Sequence, residues 1–193
     1  MSDSEIARNM FLFTPAAAAA QADGRIELHL VDRFRAGDKE AFGEIYRLFA
    51  PLVHGVVLAR VPQDDVQDIV QEVFLAAYNS LHTLRDKDLV GAWLAAIARN
   101  RAAEFYRRSR QTEELSDEMR GRENPDAEAS EVLNAIRTLP AAYRETMMLR
   151  LVEGLTGSEI AEQTGLKPES VRVNLHRGME LLRKKLGIVG GRK

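Results

Sequence analysis

The sequence has no cysteine among its 193 residues. This absence excludes a disulfide scaffold, thiol catalysis and thiolate metal sites. Aromatic residues make up only 6 % of the chain, and no run alternates apolar and polar residues over the length of a strand. Apolar residues recur instead at helical spacing, so the sequence predicts an all-α fold.

Long hydrophobic runs are also absent, because no apolar run approaches the roughly 20 residues needed to cross a bilayer. The first 24 residues resemble a signal peptide in their apolar patch and small residues. However, Asp3 and Glu5 precede that patch and Pro15 interrupts it, which a signal peptide would not show. We therefore expect a cytoplasmic protein without membrane insertion, in which residues 1–24 form a flexible extension of unassigned role.

Charge is distributed unevenly along the chain. Residues 111–128 carry seven acidic and two basic side chains, whereas residues 129–193 carry seven acidic and eleven basic ones. The acidic segment has few apolar residues, which is typical of a linker. The sequence thus predicts two small helical domains with separate cores, at residues 25–110 and 129–187, joined by the linker 111–128 and followed by a tail at 188–193.

Apolar stripes within the first domain predict a series of helices. One stripe ends near Phe49, and Pro51 is expected to open a new helix that Pro62 ends. Residues 79–92 are expected to form a loop that enters a further helix. Trp93, at the start of that helix, is interpreted as a core residue rather than a platform on which bases stack.

The segment after Pro62 predicts an amphipathic helix with acidic side chains on its outer face. A solvated surface is the simplest interpretation, since acids are favoured near a helix N-terminus. Asp64, Asp65 and Asp68 also match the DDxxD motif with which prenyl-diphosphate enzymes hold magnesium. No second motif or basic diphosphate site accompanies it, and the chain is short for a large helical cavity. We therefore expect no metal, no cofactor and no catalysis.

A second helix, from Trp93 to about Arg110, has a basic outer face. Between Arg99 and Arg110 the sequence has five arginines and one glutamate. These charges could simply be solvated and complement the helix dipole near its C-terminus. A nucleic-acid surface is the alternative interpretation, and it is favoured if another DNA-binding element is present.

The stretch from Thr156 to Leu186 predicts such an element. Thr156 followed by Glu159 forms a capping box, which starts a short helix. Gly165 can adopt the left-handed conformation that ends this helix, and Pro168 fits the first turn of the next. Two helices joined by so short a turn are typical of a helix-turn-helix.

The second helix of this pair is expected to enter the major groove of DNA. Its apolar residues form one stripe, while its polar and charged residues lie mainly on the opposite side. From Lys167 to Lys193 there are eight lysines and arginines and only two glutamates. A one-sided cationic helix in this position is what a recognition helix requires.

Four segments in this order resemble the two-domain extracytoplasmic-function (ECF) sigma factors of bacterial RNA polymerase. GDKEAFGEIYRLFAPLV, DDVQDIVQEVFLAAY and AWLAAIARNRAAEFYRR resemble parts of their region 2. LPAAYRETMMLRLVEGLTGSEIAEQTGLKPESVRVNLHRGMELLRKKL resembles region 4. The resemblance implies a protein that recruits core polymerase to promoters and assists promoter melting.

The resemblance also implies roles for particular residues. The acidic helix would dock on the clamp helices of the largest polymerase subunit through Asp65, Asp68, Gln71, Glu72 and Phe74. The melted minus-ten element would be bound by Asn79, Arg99, Asn100, Arg107 and Arg108. The duplex minus-thirty-five element would be bound by Lys167, Ser170, Arg172, Asn174, His176 and Arg177.

Two features limit the transfer of family properties. Val173 and Asn174 stand where the family often has Ser and Arg, so no known promoter sequence can be carried over. The family also implies an anti-sigma partner, which the residues do not identify. A free-standing helix-turn-helix regulator that binds duplex DNA without polymerase is the alternative function, although the sequence has no heptad seam for dimerisation.

Overall fold

A computed structural model describes residues 24–113 and 127–187 of the chain. The regular elements in these ranges are eight α-helices and three short 3₁₀ turns, which confirms the all-α prediction. The helices are α1 (Gly24–Arg35), α2 (Glu40–Leu58), α3 (Val66–Ser80), α4 (Val90–Glu113), α5 (Ala127–Arg137), α6 (Ala141–Leu151), α7 (Gly157–Thr164) and α8 (Pro168–Lys185). Residues 1–23 of the predicted extension, residues 114–126 of the predicted linker and the predicted tail 188–193 lie outside the described residues. Residues 111–113 and 127–128, predicted as parts of the linker, belong to α4 and α5 instead.

Helix α2 corrects one prediction, because it continues through Pro51 instead of ending before it. Proline removes a single backbone hydrogen bond, to the carbonyl of Arg47, and its ring crowds that carbonyl. Nine residues of α2 are buried on the two sides of the proline. Their burial outweighs the local cost of about 3 kcal/mol, since each large apolar side chain contributes about 1.5–3 kcal/mol.

Helix α2 is also relevant to the prediction that no segment of the chain is long and apolar enough to cross a membrane. By length and composition alone α2 is long and apolar enough to do so, although polar residues interrupt its apolar runs. In the structure α2 lies at the centre of the first half and packs against α1, α3 and α4. Phe49, Leu52, Val53, Val56 and Val57 are fully buried there, as expected of a core helix.

The first half, which runs from α1 to α4, also contains an aromatic cluster and the single tryptophan of the chain. The ring of Phe42 lies 5.6 Å from that of Phe34 and 5.0 Å from that of Tyr78. Such tilted and edge-to-face pairs are favourable beyond the area they bury. Trp93 is partly buried against the core, in agreement with its interpretation as a packing residue.

The second half, from α5 to α8, is built on α6. Helix α6 packs along α8, and the short α7 closes the arrangement on both of them. Met147 and Met148 of α6 are fully buried, as are Ile136 of α5 and Ile160 of α7. The predicted apolar stripe of α8 faces this core, because Val171 and Leu182 are buried.

The two halves lie against each other, with α2 on α6 and α4 on α7. Glycines allow this close approach. A Cβ added to Gly55 would lie 2.7 Å from Leu149 Cδ2, and one added to Gly91 would lie 2.7 Å from the Gln163 carbonyl oxygen. The buried residues of both halves form one continuous cluster. The separate cores expected from the sequence are therefore joined in this conformation.

Candidate nucleic-acid interface

Both predicted ends of α7 are present in the structure. The Thr156 hydroxyl accepts a hydrogen bond from the Glu159 backbone N–H, and the Glu159 carboxylate accepts one from the Thr156 N–H. This reciprocal capping box satisfies two of the N–H groups that a helix start leaves unpaired. At the other end Gly165 has a φ of 71°, in the left-handed region that a glycine adopts without strain. The predicted helix-turn-helix is thus confirmed.

Helix α8 presents a polar, cationic face to solvent. Pro168 occupies its first turn, and the preceding Lys167 is exposed. The predicted minus-thirty-five residues Ser170, Arg172, His176 and Arg177 are all exposed, whereas Asn174 is half-buried. Val173 lies among them with 41 % of its surface exposed. The face can therefore offer hydrogen bonds, charge and one apolar contact to the edges of bases.

Helix α3 carries the predicted polymerase-binding face. Asp68 and Gln71 are exposed as expected, and Asp65 is half-buried at the N-cap. Leu75, which the sequence reasoning overlooked, is 64 % exposed. Its position four residues after Gln71 and seven after Asp68 places it on the same side of the helix. This spacing was the signal that could have identified Leu75.

Phe74 does not belong to that face, contrary to the prediction. Its side chain is only 4 % exposed. Its ring lies 4.4 Å from the ring of Tyr46 and 6.5 Å from that of Phe42, so it packs within the first half. On the surface of α3, Leu75 is therefore accessible and Phe74 is not.

The predicted minus-ten residues lie on two helices. Asn79 is exposed in the last turn of α3, while Asn100, Arg107 and Arg108 are exposed on α4. Arg108 donates to the Glu72 carboxylate at 3.0 Å, and this partner raises the pKa of the guanidinium. The contact joins a predicted DNA-binding residue to a predicted polymerase-binding residue, so the two surfaces are adjacent.

Arg99 is held by the second half. Its guanidinium donates to Glu145 of α6, with 2.7 Å between Nη2 and Oε1 and 3.2 Å between Nε and Oε2. Arg60 donates to the same carboxylate, with 2.5 Å between Nη2 and Oε2. Burial of Glu145 is the strongest single influence and raises its pKa, but the two arginines together outweigh it and lower the pKa below the ordinary value.

Arginines of the second half also bind the first half. Arg137 donates to the carbonyl of Val61 at 3.1 Å, and Arg144 donates to that of Ala59 at 3.4 Å. These carbonyls follow the end of α2, where helical partners are lacking. His54 and Glu153 add a contact of 2.6 Å between Nδ1 and Oε1. Hydrogen bonds and ion pairs thus join the two halves in addition to their apolar contact.

Comparison with known proteins assigns both halves to one class. The family model "Sigma-70 region 2" matches residues 45–112, and "Sigma-70, region 4" matches residues 129–182. The two halves are therefore the conserved regions of a sigma-70-type factor. Since region 2 is present beside the helix-turn-helix, the match supports the sigma factor prediction over a free-standing regulator.

Relatives define the group more narrowly. The chain is 30 % identical over 176 residues to the ECF RNA polymerase sigma-E factor of Haemophilus influenzae, an alignment that covers 81 % of this chain and 93 % of that protein. It is 31 % identical over 171 residues to the RNA polymerase sigma factor CarQ of Myxococcus xanthus, covering 81 % and 95 %. The chain belongs to the ECF sigma factors of bacterial RNA polymerase.

Solved structures agree with this assignment. The structure of CnrH in complex with the cytosolic domain of CnrY is 25 % identical to this chain, with a TM-score of 0.62 over 86 % of this chain and 99 % of that one. The sigma factor RpoE of Bartonella quintana, in complex with the anti-sigma factor NepR, has a TM-score of 0.55 over 77 % and 98 %. At 18 % identity the latter supports the fold alone.

Proposed function

We propose that this protein is a sigma factor that recruits core RNA polymerase to specific promoters and assists promoter melting. The observation that carries the proposal is the combination of a cationic, exposed recognition helix with a region-2 half in one chain. As a sigma factor it contributes binding and positioning in the cytoplasm and catalyses no reaction of its own.

The face of α3 is the proposed contact with the clamp helices of the largest polymerase subunit. Asp65, Asp68, Gln71 and Glu72 supply its polar rim, and Leu75 supplies an exposed apolar group between them and the end of the helix. Docking of one helix on others through apolar contacts with a charged rim gives both affinity and orientation.

Promoter recognition is divided between the two halves. Asn79, Arg99, Asn100, Arg107 and Arg108 are proposed to bind the melted minus-ten element, where phosphates require cations. Helix α8 is proposed to bind the duplex minus-thirty-five element through the set Lys167, Ser170, Arg172, Asn174, His176 and Arg177. Joining two weak contacts through the segment between α4 and α5 raises the effective concentration of the second contact once the first is made.

Binding both elements requires that the halves separate. The two elements are about 25 base pairs apart, or about 85 Å at a rise of 3.4 Å per base pair. A compact chain of this length has a radius of gyration of only about 16 Å. The packed conformation is therefore proposed as a state of the free or inhibited protein, and an anti-sigma partner is proposed to stabilise it.

The proposal is tested by transcription from a promoter library with purified core polymerase, in the presence and absence of the protein. New start sites that appear only with the protein, and that share two spaced sequence elements, are the expected result. The absence of such start sites over a range of salt concentrations would reject the proposal, even if the protein bound duplex DNA by itself.

A further inference from the structure

The Glu145 carboxylate occupies an anion-binding site that belongs to the other half of the protein. Arg60 and Arg99, both of the first half, donate three hydrogen bonds of 2.5–3.2 Å to its two oxygens. Guanidinium groups hold carboxylates and phosphates with the same planar arrangement of donors. The site is therefore suited to an oxyanion in general and not to glutamate alone.

The first half holds Arg60 in place without help from Glu145. Arg60 Nη1 donates to the Val56 carbonyl at 3.0 Å, and the Tyr106 hydroxyl donates to the Arg60 carbonyl at 2.7 Å. Arg99 projects from α4, which packs directly on α2. When the halves separate, the carboxylate leaves with α6, while the two cations stay on the region-2 half.

Separation also makes the site accessible. The side chains of Arg60 and Arg99 are 25 % and 34 % exposed even in the packed conformation. Arg99 is followed on α4 by Asn100, another proposed minus-ten residue that is exposed. The anion most abundant beside these residues in a promoter complex is the backbone phosphate of the melted strand.

We propose that Arg60 and Arg99 form a phosphodiester-binding site for the melted promoter strand, and that Glu145 fills it as an internal substitute for the phosphate while the halves are packed. This inference rests on the proposed function, which supplies the strand. It adds Arg60 to the DNA-binding surface and gives Glu145 a competitive role. Strand binding and packing of the halves then exclude each other at this site.

The test measures binding of a labelled single-stranded oligothymidylate to the full chain by fluorescence anisotropy over a range of salt concentrations. We expect Glu145→Gln to bind several-fold more tightly than the parent protein. Its plot of log affinity against log salt should be steeper by about 0.7, the value for one more phosphate neutralised on a single strand.

Charge-matched variants identify the residues responsible. In the Glu145→Gln protein, Arg60→Ala should remove the gain in both affinity and slope. Arg47→Ala removes the same charge from an exposed position of α2 and should leave most of the gain. Equal effects of Arg60→Ala and Arg47→Ala would overturn the proposal, because they would indicate a general cationic surface.

Two further arms separate phosphate binding from other causes. An oligonucleotide with a neutral methylphosphonate backbone should abolish the difference between parent and Glu145→Gln, and a difference that persists would overturn the proposal. Glu153→Gln removes a carboxylate that binds His54 and neither arginine, so it should produce a smaller gain. An equal gain that Arg60→Ala fails to reverse would contradict the proposal, because loosening of the halves would then act through other cations.

If Glu145→Gln fails to fold, as judged by circular dichroism, Gly91→Ala offers a second route. Its added methyl group would push α4 from α7 without changing any charge. We then expect Gly91→Ala to give the same gain in oligonucleotide binding, and Arg60→Ala to reverse that gain. A gain that Arg60→Ala does not reverse would reject the phosphate site. Transcription with core polymerase is measured in parallel. Absence of protein-dependent transcription alone rejects the sigma function, whereas absence of an effect of Arg60→Ala on oligonucleotide binding alone rejects the phosphate site.

Discussion

At the scale of single residues, the surroundings of Glu145 connect stability to pH. Its pKa is lower in the folded protein than the ordinary glutamate value, because Arg99 and Arg60 outweigh the effect of burial. A carboxyl group of this kind adds stability at pH values above its unfolded pKa. That contribution is lost as the pH falls through the folded pKa, where the group becomes protonated in both states.

Glu145→Gln is therefore expected to lower the free energy of unfolding at pH 7 by roughly 1–3 kcal/mol, since two guanidinium groups lose their counter-charge. The difference from the parent protein should shrink once the pH is below about 4.3, the unfolded value. Urea unfolding at a series of pH values measures both effects. A difference that stays constant with pH would show that the charge of Glu145 is not its cause.

Arg177 tests the recognition face of α8. Arg177→Ala is expected to weaken binding to a selected minus-thirty-five duplex by about 1–3 kcal/mol if the guanidinium contacts a base edge. Lys184→Ala, an exposed cation in the last turn of the same helix, is the control. Affinities are measured for the selected duplex and for single-base variants. Equal losses on every sequence would indicate a phosphate contact instead.

At the scale of helices, α3 has a buried side and an exposed side, and the exposed side is the proposed polymerase contact. Asp68→Arg is expected to abolish association with core polymerase while leaving helicity and the unfolding midpoint nearly unchanged, because Asp68 is exposed. Glu40→Arg makes the same reversal of charge at the exposed start of α2. Co-purification with core polymerase and circular dichroism provide the measurements. Retained association would remove α3 from the interface.

Helix α8 depends on a glycine where it crosses α6. A Cβ at Gly178 would lie 2.7 Å from Met147 Cγ and 2.9 Å from its Sδ, and Met147 is fully buried. Gly178→Ala should gain about 1 kcal/mol in helix propensity but lose about 1–3 kcal/mol to overpacking, for a net loss of stability. Thermal unfolding measures this change in stability. The double variant with Met147→Ala should be less than additive, and strict additivity would contradict this contact.

The helix-turn-helix could be predicted because its signals are local. Thr156, Gly165 and Pro168 each specify the backbone at their own position, and all three lie in one short stretch. The helix start predicted at Pro51 was wrong, because the local cost of proline is outweighed by burial of α2 on other helices. The residues around Pro51 do not reveal that burial. For Phe74 the local pattern was the better guide. The family resemblance placed this residue on the exposed face of α3, whereas its position in the helical apolar pattern places it inside, where the structure has it.

At the scale of the whole molecule, the packing of the halves could not be predicted from the sequence. Glu145 is 85 residues from Arg60 and 46 from Arg99 along the chain. The sequence pattern alone cannot distinguish any of these charged side chains from one that is exposed to solvent. Periodicity identifies which side of a helix is buried, but it does not identify the partner that covers it.

Gly91 tests this packing. Gly91→Ala is expected to separate the halves, because its methyl group would lie 2.7 Å from the backbone oxygen of Gln163. Small-angle scattering should show a radius of gyration above the roughly 16 Å of a compact chain, with helicity unchanged. Gly43→Ala, a helical glycine with only Arg47 Nη1 at 3.9 Å, is the control and should be neutral or slightly stabilising. Equal compactness of both variants would contradict the expectation.

The close fit at Gly55 and Gly91 has a consequence for engineering the protein. Under the proposed function, every contact that favours the packed form lowers the fraction of molecules ready to engage a promoter, and apparent affinity for the promoter falls in proportion to that fraction. A substitution beside these glycines that adds contact between the halves and raises the melting temperature should thus reduce transcription. Selection for a more heat-resistant variant and selection for a more active one would favour opposite changes at the same positions.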